Sequence, residues 1–454
     1  MSVRPNSGCR QAPVQTEAGL SRIVAVLDRY FGITAKGSSP QIEILAGVST
    51  FLSLSYIFVV NPAILAQAGM NKSAVLFATI ITSGIATLLM GFWARLPFVL
   101  APGMEMNAYV AFFVVGAMGF SWQQALGAVF WSGALFVLLT ALRVRQNIIE
   151  AIPDSMKSGL SLSVGVFLAL VAFKIAGLLR YEGVHVRGFG DLLTRDSLVL
   201  VVGLSMILVL DGLRVRGAVL IAIVVTSFLC HFLGIGAGEK AAEVSAAMFS
   251  GIGKLQPLAI FLDRRMLSVI LVLFLIDFYG SVAKLIGLTM RTNIMDSGKL
   301  PRMKEALLID SIGTTAGAVL GTSSITVYVE SAIGIGAGGR TGLTAVACGL
   351  LMLSCFGVAP FLHQVPLVAT TGALVFVAVK LCPSFRDLKS LGWVDLAAMG
   401  IMQILVVSTF ALDRAMLAGF AAYTVSAVFM RKRLNPYMIG SMVLLALGVG
   451  LQGA

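Results

Sequence analysis

The fold of this chain is predicted from two segments, LAPGMEMNAYVAFF (residues 100–113) and GTSSITVYVESAIGIGAGG (residues 321–339). The first contains the adjacent residues Pro102 and Gly103, and the second has small and β-branched residues before Glu330 and glycines after it. Both patterns favour a short extended stretch that runs into a half-helix, because proline, glycine and β-branched residues interrupt α-helices. We therefore predict one broken helix in each half of the chain.

The two broken helices lie in a chain with the composition of a membrane protein. Of its 454 residues, 58% are hydrophobic and only 12% are charged, whereas a soluble domain carries about 25% charged residues. Apolar runs of roughly 20 residues, long enough to cross about 30 Å of hydrocarbon, recur along the chain. The composition predicts a polytopic transporter rather than an enzyme, because the sequence contains no recognisable nucleophile–base pair, metal cluster or phosphate-binding loop. No cofactor or metal is expected.

The hydropathy pattern predicts an all-α membrane protein with about 14 spans in two halves of seven. Because seven is odd, the two halves have opposite orientations in the membrane, as in the inverted repeats of many secondary transporters. The third span of each half is the broken one, and such a pair indicates a binding site near the membrane midplane. The predicted spans are 43–68, 73–94, 100–116, 121–142, 157–178, 197–211 and 216–234, then 266–289, 305–320, 325–338, 342–360, 366–382, 394–412 and 414–430. Residues 436–452 form either a further span or an interfacial helix within the C-terminal apolar segment 436–454.

The basic residues of the chain fall mainly in every second connection between spans. Examples are Arg143 and Arg145 after the fourth span and Arg431 and Lys432 after the last. This positive-inside pattern predicts that the N-terminal segment, residues 1–42, is cytoplasmic. The formal net charge of +12 does not indicate a nucleic-acid partner, because no basic stripe with interleaved aromatic residues is present.

Two carboxylates follow the breaks in the third span of each half. Glu105 comes directly after the Pro102–Gly103 pair, and Glu330 occupies the matching place in the second half. Ionisable residues inside apolar segments are energetically costly, so a functional role is the first hypothesis for both. The alternative is that each carboxylate only caps the backbone amides of a half-helix.

The eighth span, LVLFLIDFYGSVAKLIGLT (residues 271–289), contains a second pair of charges. Asp277 and Lys284 are seven residues apart, so they share one face of a helix, with Gly280 and Ser281 between them. Either the two charges have a structural role, as a buried ion pair or as separate water-linked charges, or the face lines a substrate cavity in which Lys284 supplies a fixed positive charge. The sequence leaves both interpretations open.

Three further side chains of the broken helices are candidates for substrate contacts. Asn107 offers both hydrogen-bond donors and acceptors, which suits the edge of a heterocycle. Tyr109 and Tyr328 could stack on a planar ligand, although each aromatic ring is more often a packing residue. The three histidines lie outside the broken segments, so any proton coupling is expected to use carboxylates.

Several long segments resemble the nucleobase–cation symporter family of xanthine and uracil permeases, and especially its branch of hypoxanthine, guanine and adenine permeases. The resemblance extends from about Glu43 to Arg433, and its most specific block is GTSSITVYVESAIGIGAGGRTGLTAV. The other segments that carry it are ILAGVSTFLSLSYIFVVNPAILAQAGM (44–70), FVLAPGMEMNAYVAF (98–112) and IPDSMKSGLSLSVGVFLALVAF (152–173).

This resemblance implies a fold of fourteen spans with two kinds of domain. The core domain comprises spans one to four (43–142) and eight to eleven (266–360). The gate domain comprises spans five to seven (157–234) and twelve to fourteen (366–430). The resemblance also implies proton-coupled uptake of a purine base and a tendency to form homodimers. It places the family's acidic residue of the tenth span on Glu330 and its polar residue of the third span on Asn107.

The chain departs from the family pattern at three positions. Glu105 replaces a residue that is usually small, Gly280 replaces the second acid of an acid-x-x-acid-Thr pattern, and Lys284 lies four residues after Gly280 at a threonine-like position. Either the carboxylate has moved to the opposite wall of the site and keeps its role, or the ligand has changed.

The sequence thus favours a secondary active transporter for a purine-type nucleobase, with protons as the coupling ion. The predicted substrate-binding residues are Glu330, Asn107, Glu105, Tyr109, Gly280, Ser281 and Tyr328. The predicted coupling residues are Glu330, Glu105, Asp277 and Lys284. The alternatives are the same fold with an anionic or other small solute, or an uncoupled uniporter or exchanger in which Lys284 replaces the coupling cation.

Overall fold

The computed structural model is mainly helical and covers most of the chain. The residues that it describes are 25–142, 154–182, 185–191, 193–215, 217–235, 247–261, 263–289, 294–295, 300–383, 388–389, 391–409, 412–429 and parts of 439–450. The predicted segment 436–452 therefore lies largely outside the described residues.

Helices in the first half of the chain occupy the predicted apolar segments to within a few residues. They are α1 (Pro40–Leu54), α2 (Ile57–Ala66), α3 (Lys72–Leu89), α4 (Met104–Ala108), α5 (Trp122–Ala141), α6 (Asp154–Ile175), α7 (Arg195–Gly212) and α8 (Ala218–Phe232). Two π-helical segments, Met90–Ala94 and Tyr109–Val115, continue α3 and α4. Strand β1 (Leu100–Pro102) precedes α4.

Helices in the second half follow a similar order, with a strand ahead of a short helix. They are α9 (Arg265–Thr289), α10 (Met303–Leu320), α11 (Ser331–Gly336), α12 (Gly342–Ser354), α13 (Ala359–His363), α14 (Thr371–Leu381), α15 (Trp393–Thr409) and α16 (Leu412–Phe429). The strand, Ile325–Val327, comes between α10 and α11 and is the fourth in the chain, β4. Short 3-10 turns occupy Thr34–Lys36, Pro257–Phe261, Cys355–Val358 and Leu367–Thr370.

The two predicted extended segments are confirmed, and they pair with each other. Strands β1 and β4 are antiparallel, with Ala101 opposite Thr326 at the centre of the register. The Gly103 amide donates to Ser324 O at 2.9 Å, and the Tyr328 amide donates to Val99 O at 3.0 Å. The ladder satisfies backbone groups that an interrupted helix would otherwise leave unpaired in an apolar environment. It thereby joins the two halves of the chain at their broken helices.

Two sets of helix–helix contacts stand out among the described residues. Helix α5 contacts α9 and α10, and α12 contacts α1 and α3. A separate set of contacts connects α14 with α6 and α7, and α15 with α6 and α16. These contacts are compatible with the core and gate boundaries given above, which remain predictions.

Four helical segments among the described residues are long and apolar enough to cross a membrane. They are Pro40–Ala66, Lys72–Ala94, Trp122–Ala141 and Ser158–Ile175. Six shorter apolar helices of 10–17 residues accompany them. These helices support a multi-pass membrane protein, whereas the count of 14 spans and the inverted repeat remain predictions.

The all-α prediction omitted one β-hairpin. Strands β2 (Leu179–Glu182) and β3 (His185–Phe189) pair antiparallel between α6 and α7, with a register shift between Arg180 and Tyr181. The sequence VHVRGF (residues 184–189) alternates apolar and polar residues with a period of two, which is a strand signal. The strand β3 has only five residues, which is too few to stand out in a hydropathy profile that is dominated by helices.

Glu43, in the first turn of α1, joins that helix to the start of α12. Its side chain is buried, and its carboxylate accepts hydrogen bonds from the Arg340 amide at 2.9 Å, the Thr341 amide at 3.2 Å and the Thr344 hydroxyl at 2.5 Å. One carboxylate therefore satisfies three donors around the N-terminus of α12, whose N-cap residue is Thr341.

Replacing Glu43 with alanine is expected to lower the free energy of unfolding by about 3 kcal/mol or more, because it leaves buried donors without an acceptor. Thermal unfolding of the purified protein in detergent measures the loss. The control is Ser39→Ala, which removes the exposed cap of the Ile42 amide in the same turn and should cost only about 1 kcal/mol. Equal losses for the two variants would contradict this role of Glu43.

Candidate functional site

The paired strands bring the two half-helices and their carboxylates into one region. Glu105 lies in the first turn of α4, and Glu330 is the N-cap residue of α11. Gly103 lies between β1 and α4, where a Cβ atom would displace the flexible end of the Met106 side chain and lie 3.0 Å from Thr326 Cγ2. The start of α4 is thus closely packed against β4.

Of the two carboxylate oxygens of Glu330, one accepts a hydrogen bond from a protein side chain and the other does not. The Tyr56 hydroxyl donates to Glu330 Oε1 at 2.6 Å. Glu330 Oε2 is buried and has no hydrogen-bond partner among the residues that the structure describes. A buried acceptor without a partner is costly, so this oxygen is suited to receive a donor from a ligand.

Tyr56 is a further residue of this site, and nothing in the sequence pattern indicated it. It lies at the break between α1 and α2, and its side chain is almost completely buried. Pro62 lies inside α2 and removes one backbone donor. That proline was the available signal that the first span is also irregular. The proline did not indicate that the Tyr56 hydroxyl would bond to Glu330, which lies 274 positions later in the chain.

Glu105 and Lys284 form a buried ion pair. Lys284 Nζ lies 3.0 Å from Glu105 Oε1, and the two side chains are only 14% and 11% exposed. The same ammonium group donates to Thr326 Oγ1 at 3.4 Å. Thr326 lies on β4, four residues before Glu330. Glu105 and Lys284, two of the three predicted departures from the family pattern, therefore adjoin the strand that leads to Glu330.

Asp277 is surrounded by hydroxyl groups. The Ser324 and Thr314 hydroxyls donate to its Oδ2 at 2.7 and 3.0 Å, and the Ser281 hydroxyl donates to Oδ1 at 3.4 Å. These hydroxyls give both oxygens of the buried carboxylate hydrogen-bond donors. The predicted alternative of an Asp277–Lys284 pair is not what the structure displays, since Lys284 pairs with Glu105 instead.

Asn107 presents a free amide donor next to this region. The Ser323 hydroxyl donates to Asn107 Oδ1. Asn107 Nδ2 is buried without a hydrogen-bond partner in the described part of the chain. The adjacent residue Thr322 accepts from Asn61 Nδ2 at 3.0 Å, so hydroxyls at 322, 323 and 324 each bind a different polar side chain.

The two candidate tyrosines have protein partners. The Tyr328 hydroxyl donates to Pro102 O at 2.5 Å and so connects the start of α11 to β1. The Tyr109 ring is fully buried and stacks on Phe113, with ring centroids 5.2 Å apart. These contacts favour the packing interpretation that the sequence left open for both rings.

The space beside Gly280 is open. A Cβ atom built at Gly280 would meet nothing within 4 Å, although its neighbours Asp277 and Ser281 in α9 are buried. The next residue, Ser281, shares a hydrogen bond of 3.0 Å with Thr326 Oγ1 on β4. Gly280 thus leaves room in the same face of α9 that carries Lys284.

Comparisons with known proteins identify the family of this chain and several of its relatives. Residues 41–412 match the Permease family of xanthine and uracil permeases. The chain is 36% identical to the adenine permease AdeP of Escherichia coli (strain K12), with 89% of this chain and 91% of that protein covered. It is 33% identical to the guanine/hypoxanthine permease PbuO of Bacillus subtilis (strain 168), with 87% and 93% covered.

Two solved structures have a similar fold at low sequence identity. The transmembrane domain of the cyanobacterium bicarbonate transporter BicA aligns with a TM-score of 0.63 and 16% identity, covering 84% of this chain and 97% of that one. The overall structure of SLC26A9 aligns with a TM-score of 0.64 and 11% identity, covering 94% and 73%. At these identities the likeness concerns the fold alone.

Proposed function

Because this chain belongs to the Permease family of xanthine and uracil permeases, we propose that it is a secondary active transporter for a purine-type nucleobase such as hypoxanthine, guanine or adenine. The chain is a permease and not an enzyme. Relatives named as adenine and guanine/hypoxanthine permeases cover about nine-tenths of it, which supports this class of substrate. A bacterial cytoplasmic membrane with the N-terminus inside is the proposed location.

The observation that carries the proposal is a pair of unpaired polar atoms on the two broken helices. Glu330 Oε2 is an acceptor and Asn107 Nδ2 is a donor, and both are buried without a partner in the described residues. A purine edge places N–H donors beside ring nitrogen or carbonyl acceptors. We assign the purine N–H to Glu330 Oε2 and a purine acceptor to Asn107 Nδ2, so that both atoms become satisfied on binding.

We assign proton coupling to Glu330 ahead of the other candidate residues. Glu105 is neutralised by Lys284 at 3.0 Å, and Asp277 already accepts from three hydroxyls. Protonating either carboxylate would disrupt those contacts, whereas Glu330 has an oxygen to spare. We further propose that the two halves are inverted repeats, that the core rocks against the gate to alternate access, and that the protein forms a homodimer.

An anionic substrate receives less support from the site. Lys284 was the reason to consider one, and its charge is balanced by Glu105. The remaining carboxylates, Glu330 and Asp277, would repel an anion. We therefore retain the nucleobase as the proposed substrate.

Uptake of radiolabelled hypoxanthine, guanine and adenine into proteoliposomes, with an imposed inward proton gradient, tests this function. Saturable uptake of at least one purine, competed by the unlabelled base and accelerated by the gradient, is the expected result. Saturable uptake that ignores the gradient would refute the coupling alone. The absence of saturable uptake for all three purines, and for xanthine and uracil, would refute the nucleobase proposal.

A further inference from the structure

A continuous series of polar contacts connects the two acids of α9 and α4 through Lys284. The series runs from Asp277 Oδ1 to the Ser281 hydroxyl at 3.4 Å, then to Thr326 Oγ1 at 3.0 Å, then to Lys284 Nζ at 3.4 Å, and ends at Glu105 Oε1 at 3.0 Å. Every group in this series except the Lys284 ammonium contributes an oxygen atom.

These oxygens come from three separate elements of the fold. Glu105 belongs to α4, Thr326 to β4, and Asp277 and Ser281 to α9. Carboxylate and hydroxyl oxygens are the ligands that hard monovalent and divalent cations prefer. The Lys284 ammonium, which has three donors and no acceptor, thus occupies a position between oxygens that a small free cation could also occupy.

We propose that the Lys284 ammonium is a tethered cation, which permanently fills a monovalent-cation position between Glu105 and Thr326 and holds α4, β4 and α9 together. Removing the side chain would open this position to a free cation. The proposal rests on the proposed function only for its transport readout. It adds that nucleobase uptake by the unaltered protein requires neither Na⁺ nor K⁺.

The physical reason is the cost of leaving Glu105 alone. Breaking a buried ion pair by removing one partner is strongly destabilising, because the remaining charge is uncompensated and poorly solvated. Without Lys284, the Glu105 carboxylate must find another cation or lose its charge. The Thr326 hydroxyl, 3.4 Å from the ammonium, provides a second oxygen for that cation. Ser281 and Asp277 continue the polar series from Thr326.

The test is the thermal unfolding of the purified Lys284→Ala variant in chloride salts of one ionic strength. The salts are those of Na⁺, K⁺, ammonium and methylammonium, with N-methylglucamine as the bulky reference cation. We expect at least one of the four small cations to raise the unfolding midpoint of the variant by about 2–4 °C or more over the reference. The unaltered protein should respond equally to all five salts.

Two further variants show whether the response comes from this position. The double variant Glu105→Gln/Lys284→Ala lacks the carboxylate charge that attracts the cation. Its unfolding midpoint should therefore not depend on which cation is present. Lys380→Ala breaks a similar pair, in which Lys380 Nζ lies 2.9 Å from Asp211 Oδ2 but the side chains are 50% and 47% exposed. Exposed pairs contribute little and are screened by salt, so this matched control should show no cation preference.

Several outcomes would overturn the proposal. One is an equal midpoint for Lys284→Ala in all five salts, and another is the same cation preference in the unaltered protein or in the double variant. If Lys284→Ala cannot be purified in any of the salts, Lys284→Ser, which adds a hydroxyl to the same position, takes its place. If neither variant can be purified in any of the salts, the proposal is also contradicted, because a free cation should restore the fold.

The transport readout separates this inference from the proposed function. Purine uptake by the unaltered protein should be equal in Na⁺, K⁺ and N-methylglucamine buffers at a fixed proton gradient. Uptake by Lys284→Ala should fall at least tenfold in N-methylglucamine and recover in the cation that raises its midpoint. If no purine is transported but a small cation still raises the unfolding midpoint of Lys284→Ala, the tethered-cation proposal is supported and the nucleobase proposal is refuted.

Discussion

Uptake of the transported purine should fall by about 100-fold or more when Glu330 is replaced with glutamine. Glutamine keeps the shape of the side chain and can still accept a hydrogen bond from Tyr56, which now donates to Glu330 Oε1 at 2.6 Å. It places an amide N–H where the unpaired Oε2 acceptor lies, so a donor would face the purine N–H. The variant also cannot carry a proton.

Uptake at increasing purine concentration, corrected for the amount of protein in the membrane, measures this effect. The matched control is Tyr56→Phe, which removes the hydroxyl donor but leaves the carboxylate, and it should lower uptake by only about tenfold. Thermal unfolding should change little in Glu330→Gln, since no ion pair is broken. A variant that keeps more than a third of the original uptake would contradict the assigned role of Glu330.

The Gly334→Ala variant should lose both stability and uptake because Gly334 lies where α11 touches α1. A Cβ atom at this position would overlap Thr50 Oγ1 and lie 3.0 Å from Ala46 O. Thr50 cannot move freely, since its hydroxyl already bonds to Ala46 O at 2.9 Å. We expect a loss of about 1–3 kcal/mol from overpacking. We also expect a further loss of uptake, because the shift displaces Glu330 at the start of the same helix.

Gly336 provides the matched control for this change. It lies two residues later in α11, and a Cβ atom there would meet nothing within 4 Å. Gly336→Ala should leave uptake unchanged and slightly raise the unfolding temperature, because alanine favours the helix over glycine. Equal behaviour of the two alanine variants, in unfolding and in uptake, would show that the contact with α1 does not position α11.

The location of the site was predictable because the signals for it are local in sequence. A Pro-Gly pair and a run of small and β-branched residues interrupt a helix wherever they occur. The structure confirms both interruptions as strands β1 and β4, each followed by a short helix. The carboxylates at 105 and 330 could be picked out because charges are rare in apolar segments.

The partners of those carboxylates could not be predicted, because each partner belongs to a distant part of the chain. Asp277 and Lys284 share a helical face, and the sequence therefore allowed them to pair with each other. In the structure Lys284 instead reaches Glu105, 179 residues away, and Asp277 is held by hydroxyls of α10 and the segment before β4. Helical periodicity describes which residues share a face, and it contains no information about which helix lies opposite.

By itself the sequence determined the class of protein, its apolar segments, the two breaks and the carboxylates that follow them, since composition, hydropathy and helix propensity act over short stretches of chain. Only the tertiary structure decided that β1 pairs with β4, that Tyr56 binds Glu330 and that Lys284 balances Glu105. Those pairings depend on how distant helices pack, and packing is set by shape and close approach at residues such as Gly334. The broken helices were therefore visible from the start, whereas the ion pair beside them appears only once the two halves are brought together.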